Sequence, residues 1–345
     1  MFSLATAHDS YSPPDPLKVL AMMEAYAPLV YFHPDEECFP SSVSWFFENG
    51  AELHQKSGQT PTRVINNGDN LPRNGGPDDS FLDLPSGQAN KERVKKGFLS
   101  DAVGYVHAKP ALRGRCTDLA IWLYYPFNAG EKFQLGPFVI SLGKIGQHVS
   151  DWEHITLRVD NANGGLKAVY LSQHSKGKWF TPKEFELLNG TSRPIVYASL
   201  SAHAHYATPS SHIHLAGKLD PRVIRMLYNE VMNSSKESNI ITGFGIRDDT
   251  SKSDMAMDLA SAFDIVYIDN FDVGIELPWL NYTGRWGPKI SYNFTNEVKN
   301  ITQDLPDIVK DLVIEGLKRL PAEAFGEEGP QGPKMKKSWS GDERV

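Results

Sequence analysis

Gln147-His148-Val149-Ser150-Asp151-Trp152-Glu153-His154 brings two imidazoles and two carboxylates together around one indole. In an extended chain alternate residues share a face, so Asp151 and Glu153 point one way and Trp152 the other. Two carboxylates so placed repel at neutral pH unless a cation, a proton or an arginine stands between them. A divalent metal is the economical solution. Mixed histidine and carboxylate ligands suit zinc, manganese, iron, or hydrated magnesium or calcium, without choosing among them. The stretch therefore reads as the edge of a strand that carries a polar, metal-binding site.

Outward from it, short apolar or alternating runs recur at Leu119 to Phe127, Phe138 to Leu142, His154 to Val159, Leu166 to Ser172 and Pro194 to Leu200. These predict strands, and Asn161-Ala162-Asn163-Gly164-Gly165 between two of them is a hairpin signal. Asp15-Pro16 ahead of Leu17, Leu20 and Ala21 predicts a capped helix leading into an apolar strand, Ala27 to Phe32. Ser41-Ser42 precedes a helical turn at Val43 to Phe47, and Gln55 to Ser80 is loop-like in its Asn, Gly, Pro and Asp content. Asp220-Pro221 opens a helix carrying Val223, Leu227 and Val231, and Asp264 to Ile268 returns to strand character. After Pro306, the residues Ile308, Val309, Leu312, Val313, Leu317 and Leu320 form a helical stripe suited to packing on a sheet. The expected fold is mainly β: an antiparallel β-sandwich decorated with peripheral helices and long loops. It spans residues 1–325 as one domain. Residues 326–345 are expected to be a mobile tail with little to bury, despite Trp339.

The 345 residues, 40% hydrophobic and 22% charged, are ample for a buried core. A net charge of −7 offers no basic stripe, so nucleic acid is not an expected partner. Cys38 and Cys116 stand in no Cys-x-x-Cys spacing, so both are expected to be reduced. Met1 to Ser10 lacks the features of a secretory signal, and no stretch approaches a membrane span, so an intracellular, soluble protein is expected. The Asn-x-Ser/Thr sequons at Asn189, Asn233, Asn281, Asn293 and Asn300 then read as chance occurrences. There is no phosphate loop, dinucleotide fingerprint, Gly-x-Ser-x-Gly elbow or His-Glu-x-x-His helix, which sets aside nucleotide chemistry and ordinary serine hydrolysis.

Two more strand ends deliver histidine. In Ser199-Leu200-Ser201-Ala202-His203-Ala204-His205-Tyr206, His203 and His205 share a face, and Ser172-Gln173-His174-Ser175 ends another run. If these termini converge on the first cluster, His174, His203 and His205 supply proton transfer near neutrality. His212-Ile213-His214 is a weaker version of the pattern and is left outside the candidate site. Arg285-Trp286-Gly287-Pro288 sets a guanidinium beside an aromatic wall, making Arg285, Trp286 and Trp152 candidate substrate contacts.

Ala27-Pro28-Leu29-Val30-Tyr31-Phe32-His33-Pro34, Phe39-Pro40-Ser41-Ser42, Asp151-Trp152-Glu153-His154, Ser172-Gln173-His174, Ser201 to Tyr206 and Gly284-Arg285-Trp286-Gly287-Pro288 occur in one order. Together they resemble the vacuolar protein sorting-associated protein sixty-two family of fungi and its plant relatives, from about Ala27 to Pro288. A more distant likeness is to the necrosis- and ethylene-inducing toxins, whose signature Gly-His-Arg-His-Asp-Trp-Glu follows a Trp-Tyr-x-Pro strand. Here Gln147 to Glu153 and Leu123-Tyr124-Tyr125-Pro126 are similar, with Gln147 in place of the first Gly and Ser150 in place of the second His. That resemblance implies a β-sandwich holding a divalent cation at His148, Asp151 and Glu153, with Asn128 near a further ligand position, and recognition of a lipid head group.

The function expected from these readings is a metal-assisted enzyme acting on a small oxygenated molecule, possible in specialised metabolism, by hydrolysis, cyclisation or rearrangement. Its cofactor would be Mg, Ca, Mn or Zn. The alternative is a cation-dependent module for a lipid head group or glycan, linked to vacuolar or endosomal sorting. The family resemblance implies a cytoplasmic or vacuole- and endosome-associated location; it names no protein partner.

Overall fold

The computed structural model of the chain describes residues 14–174, 176–226, 243–269, 277–290, 292–320 and 329–341. Its centre is a six-stranded sheet in the order Lys176–Phe180, Leu166–Gln173, His148–Asp160, Cys116–Asn128, Gly104–Ala111, Phe263–Ile268. Every pairing is antiparallel except the last, where Phe263–Ile268 runs parallel to Gly104–Ala111. The two longest strands, Cys116–Asn128 and His148–Asp160, pair almost end to end.

These strands are buried on both faces, which is why they read as near-continuous apolar runs. Along Cys116–Asn128 the side chains alternate. Leu119, Ile121, Leu123 and Tyr125 enter one core, and Ala120, Trp122 and Tyr124 enter the other. The first core is closed by the helix Pro16–Tyr26 and by a four-stranded sheet, ordered His205–Tyr206, Ile195–Ala198, Leu29–Tyr31, Ala256–Asp258. The second is an aromatic cluster in which Trp152, Trp279 and Trp286 meet Tyr105 and Tyr124, their ring centroids 4.9–6.0 Å apart. Arg158 and Asp118 form a buried bidentate pair across the two long strands, at 2.8 and 2.7 Å. A third core lies under another four-stranded sheet, ordered Ser211–Lys218, Gly243–Asp249, Lys132–Leu135, Phe138–Ser141. The helix Asp307–Leu317 lays Val309, Val313 and Leu317 against its Phe133 and Phe244, as the stripe predicts.

The mainly β reading holds, with a parallel pair in each of two sheets that the antiparallel expectation does not contain. The predicted cap at Asp15 forms, accepting from the Lys18 amide at 2.9 Å, and Ser42 caps the helix Val43–Glu48 by accepting from the Trp45 amide at 2.9 Å. The hairpin at Asn161 to Gly165 forms, and both cysteines are free and buried. Leu227, Val231 and Asn233 lie outside the described residues. No described helix is long and apolar enough to cross a membrane.

Residues 329–341, expected to belong to a mobile tail, pack across the aromatic core as a strap. Trp339 is buried, stacked on His107 at 3.8 Å, and the Trp286 amide donates to the Pro330 carbonyl at 2.7 Å. Gly329 lies so close to the Gly287 backbone that a Cβ could not fit. The segment is rich in Gly and Pro because its backbone must approach another backbone, and it buries more than its composition suggests.

Trp286 is fully buried in the second core. Trp286→Ala is therefore expected to lower the unfolding free energy by about 3–5 kcal/mol in urea titration. A loss below about 1 kcal/mol would show that the cluster is not the core it is taken for.

Candidate functional site

The strands His148–Asp160 and Leu166–Gln173 pair from Val159 and Leu166 to Ile155 and Leu171, and there the ladder ends. Side chains take over the backbone groups left beyond it. Ser172 Oγ accepts from the His154 amide at 3.0 Å, Asp151 Oδ1 from the Trp152 amide at 2.9 Å, and the Trp152 carbonyl accepts from Lys336 Nζ at 2.8 Å. Ser150, His174, Ser201 and His203 all have positive φ, between 55° and 70°. Non-glycine residues hold that conformation at a cost, and such strain gathers at functional sites.

Asp151 and Glu153 project from the same face, and His203 and His205 reach them from the neighbouring sheet. Asp151 Oδ2 lies 3.1 Å from His203 Nδ1, while His203 Nε2 lies 3.1 Å from the Cys38 carbonyl and the ring stacks on Tyr125 at 3.8 Å. Ser172 Oγ donates to Glu153 Oε2 and approaches His205 Nδ1 at 3.5 Å. Burial alone would raise the Asp151 carboxyl; the hydrogen bond from His203 and the charges of His148, His203 and Lys336 outweigh it and hold the group below its ordinary value. Burial and then the Asp151 charge push Glu153 up to about 8. Burial and then the His203 charge take His205 down to about 3. His205 Nε2 and the Tyr125 hydroxyl, both buried, have no hydrogen-bond partner among the described residues.

Beside this pair stands a second cluster. His174 Nε2 and His214 Nε2 lie 2.8 and 3.2 Å from the same atom, Asp248 Oδ2, and Tyr206 donates to it at 2.5 Å. Glu131 Oε1 lies 3.4 Å from the other nitrogen of His174. Burial would lower the His174 imidazole, but Asp248 and Glu131 hold it well above the ordinary histidine value. Burial would raise Asp248, but His174, His214 and Tyr206 hold it far below the carboxylate range. Asp248 Oδ1 and Glu131 Oε2 are buried without a hydrogen-bond partner among the described residues.

The profile of the family described as vacuolar protein sorting-associated protein 62 matches residues 4–343. The chain belongs to this family. It is 25% identical over 230 residues to the putative vacuolar protein sorting-associated protein TDA6 of Saccharomyces cerevisiae, covering 55% of this chain and 46% of that one. It is 28% identical over 129 residues to vacuolar protein sorting-associated protein 62 of the same yeast, covering 32% and 26%. The chain thus spans about half or less of these curated relatives. Among solved structures, Necrosis and Ethylene inducing Protein 2 from the agent of cocoa's witches' broom disease aligns at 16% identity and a TM-score of 0.30, over 58% of this chain and 73% of that one. NLPPya in complex with glucosamine aligns at 16% and 0.31, over 58% and 75%.

In this Vps62-family chain the seven-residue cluster lies within a strand, not beside one. Asp151, Glu153, His203 and His205 come together as expected. His148 does not join them as a ligand: its Nδ1 faces the Ser150 carbonyl at 2.6 Å. Asn128 pairs in register with His148 and donates to the Gly146 carbonyl at 2.7 Å. Among the described residues, the group whose ligand atoms all lie within 4.8 Å of one another is His174, His214 and Asp248, not His148, Asp151 and Glu153. His174 belongs to that second cluster, so the three histidine-bearing strand ends form two adjacent centres. Of the expected substrate contacts, Trp152 and Trp286 lie in the core on the opposite face, and Arg285 pairs with Asp78 at 2.7 Å. His214 was set aside, and Asp248, Glu131 and Lys336 were missed. Phe244-Gly245-Ile246-Arg247-Asp248 carries the signal for one of them, because Asp248 continues the parity of Phe244 and Ile246 and so is directed inward.

An acid raised by folding makes the protein lose stability as pH climbs from the unfolded value toward the folded one, because only the native state keeps the proton. For Glu153 that window runs from 4.5 to about 8. Urea midpoints are expected to fall between pH 5 and pH 8 more steeply in the wild type than in Glu153→Gln. Parallel pH dependences in the two proteins would contradict a retained proton on Glu153.

Proposed function

We propose that this chain is a metal-assisted enzyme acting on a small oxygenated molecule, with its cation held by His174, His214 and Asp248. The observation that carries the reading is the convergence of two imidazole nitrogens on one carboxylate oxygen, at 2.8 and 3.2 Å. The three ligand atoms all lie within 4.8 Å of one another, close enough for one ion with metal bonds of about 2.0–2.1 Å to gather them. Two histidines and a carboxylate that leave positions open suit a transition-metal ion. Glu131, on the far nitrogen of His174, fits the outer carboxylate that orients a ligand histidine, and the unpaired Asp248 Oδ1 leaves a donor free. Exposure of 27% and 38% for the two imidazoles against 1% for Asp248 leaves the outer side of the cluster open to a substrate.

Bound there, the cation would polarise a substrate carbonyl or hydroxyl. Proton transfer falls to Glu153, whose value near 8 suits exchange at neutral pH. His203 has both ring nitrogens engaged, so it orients Asp151. His205, kept neutral by burial, leaves its Nε2 without a hydrogen-bond partner among the described residues. Asp151 and Glu153, similar neighbours driven to opposite sides of neutrality, divide the roles of fixed charge and proton carrier. The family's name associates the chain with vacuolar protein sorting.

Purified protein is expected to hold one transition-metal ion, lost in His214→Ala and Asp248→Asn and retained in Glu153→Gln, as read by elemental analysis. An ion that survives both ligand substitutions refutes the assignment. Capture of a glycan or lipid head group that needs Asp248 but is unchanged in Glu153→Gln would select a binding module over an enzyme.

A further inference from the structure

The strap of residues 329–341 does more than cover the aromatic core. It enters from the face opposite Asp151 and Glu153. It is fastened by Trp339 on His107, by the Lys109 ammonium on the Ser338 carbonyl and by Lys334 Nζ on Asn281 Oδ1 at 2.5 Å. Between these anchors it sends Lys336 to the Trp152 carbonyl at 2.8 Å, in the stretch where the sheet has lost its partner strand. Trp152 stands between Asp151 and Glu153, so the ammonium sits at the backbone link between the two carboxylates. Lys336 Nζ also lies 5.8 Å from the Trp122 ring, and the residue is half-buried.

We infer that Lys336 is a positioning residue of the site: carried in by the strap, it replaces a missing backbone donor and supplies the fixed positive charge that lets Asp151 and Glu153 share one face. This rests on the reading that those two carboxylates work as a pair. A neutral donor would complete the carbonyl's hydrogen bond but leave the carboxylates to repel. The cost of burying an ammonium here is offset only if the charge has partners, and Asp151 and Glu153 are the partners that oppose its desolvation. The groups facing Glu153 are Asp151 on its own strand, Ser172 and His174 from one neighbour, Tyr125 from the other, Tyr206 from the four-stranded sheet, and Lys336. Those facing Lys336 are Asp151, Glu153 and His154.

The test is a carboxylate titration by NMR on the full chain labelled with ¹³C at Glu and Asp side chains. In Lys336→Met the Glu153 midpoint is expected to move upward by roughly one unit, the lower end of what losing a nearby opposite charge does to a carboxylate. Lys336→Gln, which keeps a donor for the Trp152 carbonyl without the charge, is expected to shift it equally, and Lys336→Arg to restore it. A folded Met or Gln variant whose Glu153 titrates as in the wild type overturns the inference. An ordinary Glu153 midpoint in the wild type would instead remove the acid–base reading beneath it, so the two failures are distinguishable.

Discussion

The site depends on where one ladder stops. Pairing between His148–Asp160 and Leu166–Gln173 ends at Ile155 and Leu171, although both strands run on. Buried amides and carbonyls must find partners, so polar side chains have to enter the sheet at that point. Ser172, Asp151 and Lys336 do so. Ser172 also bonds Glu153 and approaches His205, and Asp151 bonds His203. A region of backbone deficit has become a region of concentrated chemistry, with left-handed Ser150 inside one strand and left-handed His174 in the turn that follows the other.

Such an arrangement survives because its surroundings are rigid. One side of the central sheet carries a tightly packed aromatic core, and the other is closed by a second sheet that brings in His203 and His205. Asp248, His214 and Glu131 are brought in by the third sheet and the turn that leads into it. Two centres result. One is a buried acid–base pair whose members are driven apart in proton affinity, and the other a histidine and carboxylate cluster suited to a cation. Tyr206, adjacent to His205 in the chain and bonded to Asp248, links the two.

Much of this was legible in the residues. The strict alternation of strands put Asp151 and Glu153 on one face and Trp152 on the other, and it paired His203 with His205. The cap at Asp15 was readable because capping is local. What could not be read depends on distant contacts. The strands Ser211–Lys218 and Gly243–Asp249 mix charges and glycines with few apolar residues, so they carry a weak periodic signal, and His214 and Asp248 went with them. The strap looked unanchored because the partners of Trp339, Lys336 and Gly329 come from remote strands and a loop. Trp286 and Trp152 looked like a recognition surface because composition does not distinguish a buried indole from a rim one.

On the proposed reading the cation belongs to His174, His214 and Asp248 and not to the signature stretch. Anomalous diffraction recorded at the absorption edge of the ion found in the purified protein locates it directly. A peak bonded to both Nε2 atoms and to an Asp248 oxygen, with Glu131 behind His174, is expected. A peak on Asp151 and Glu153, or none in crystals grown with the metal supplied, would contradict it.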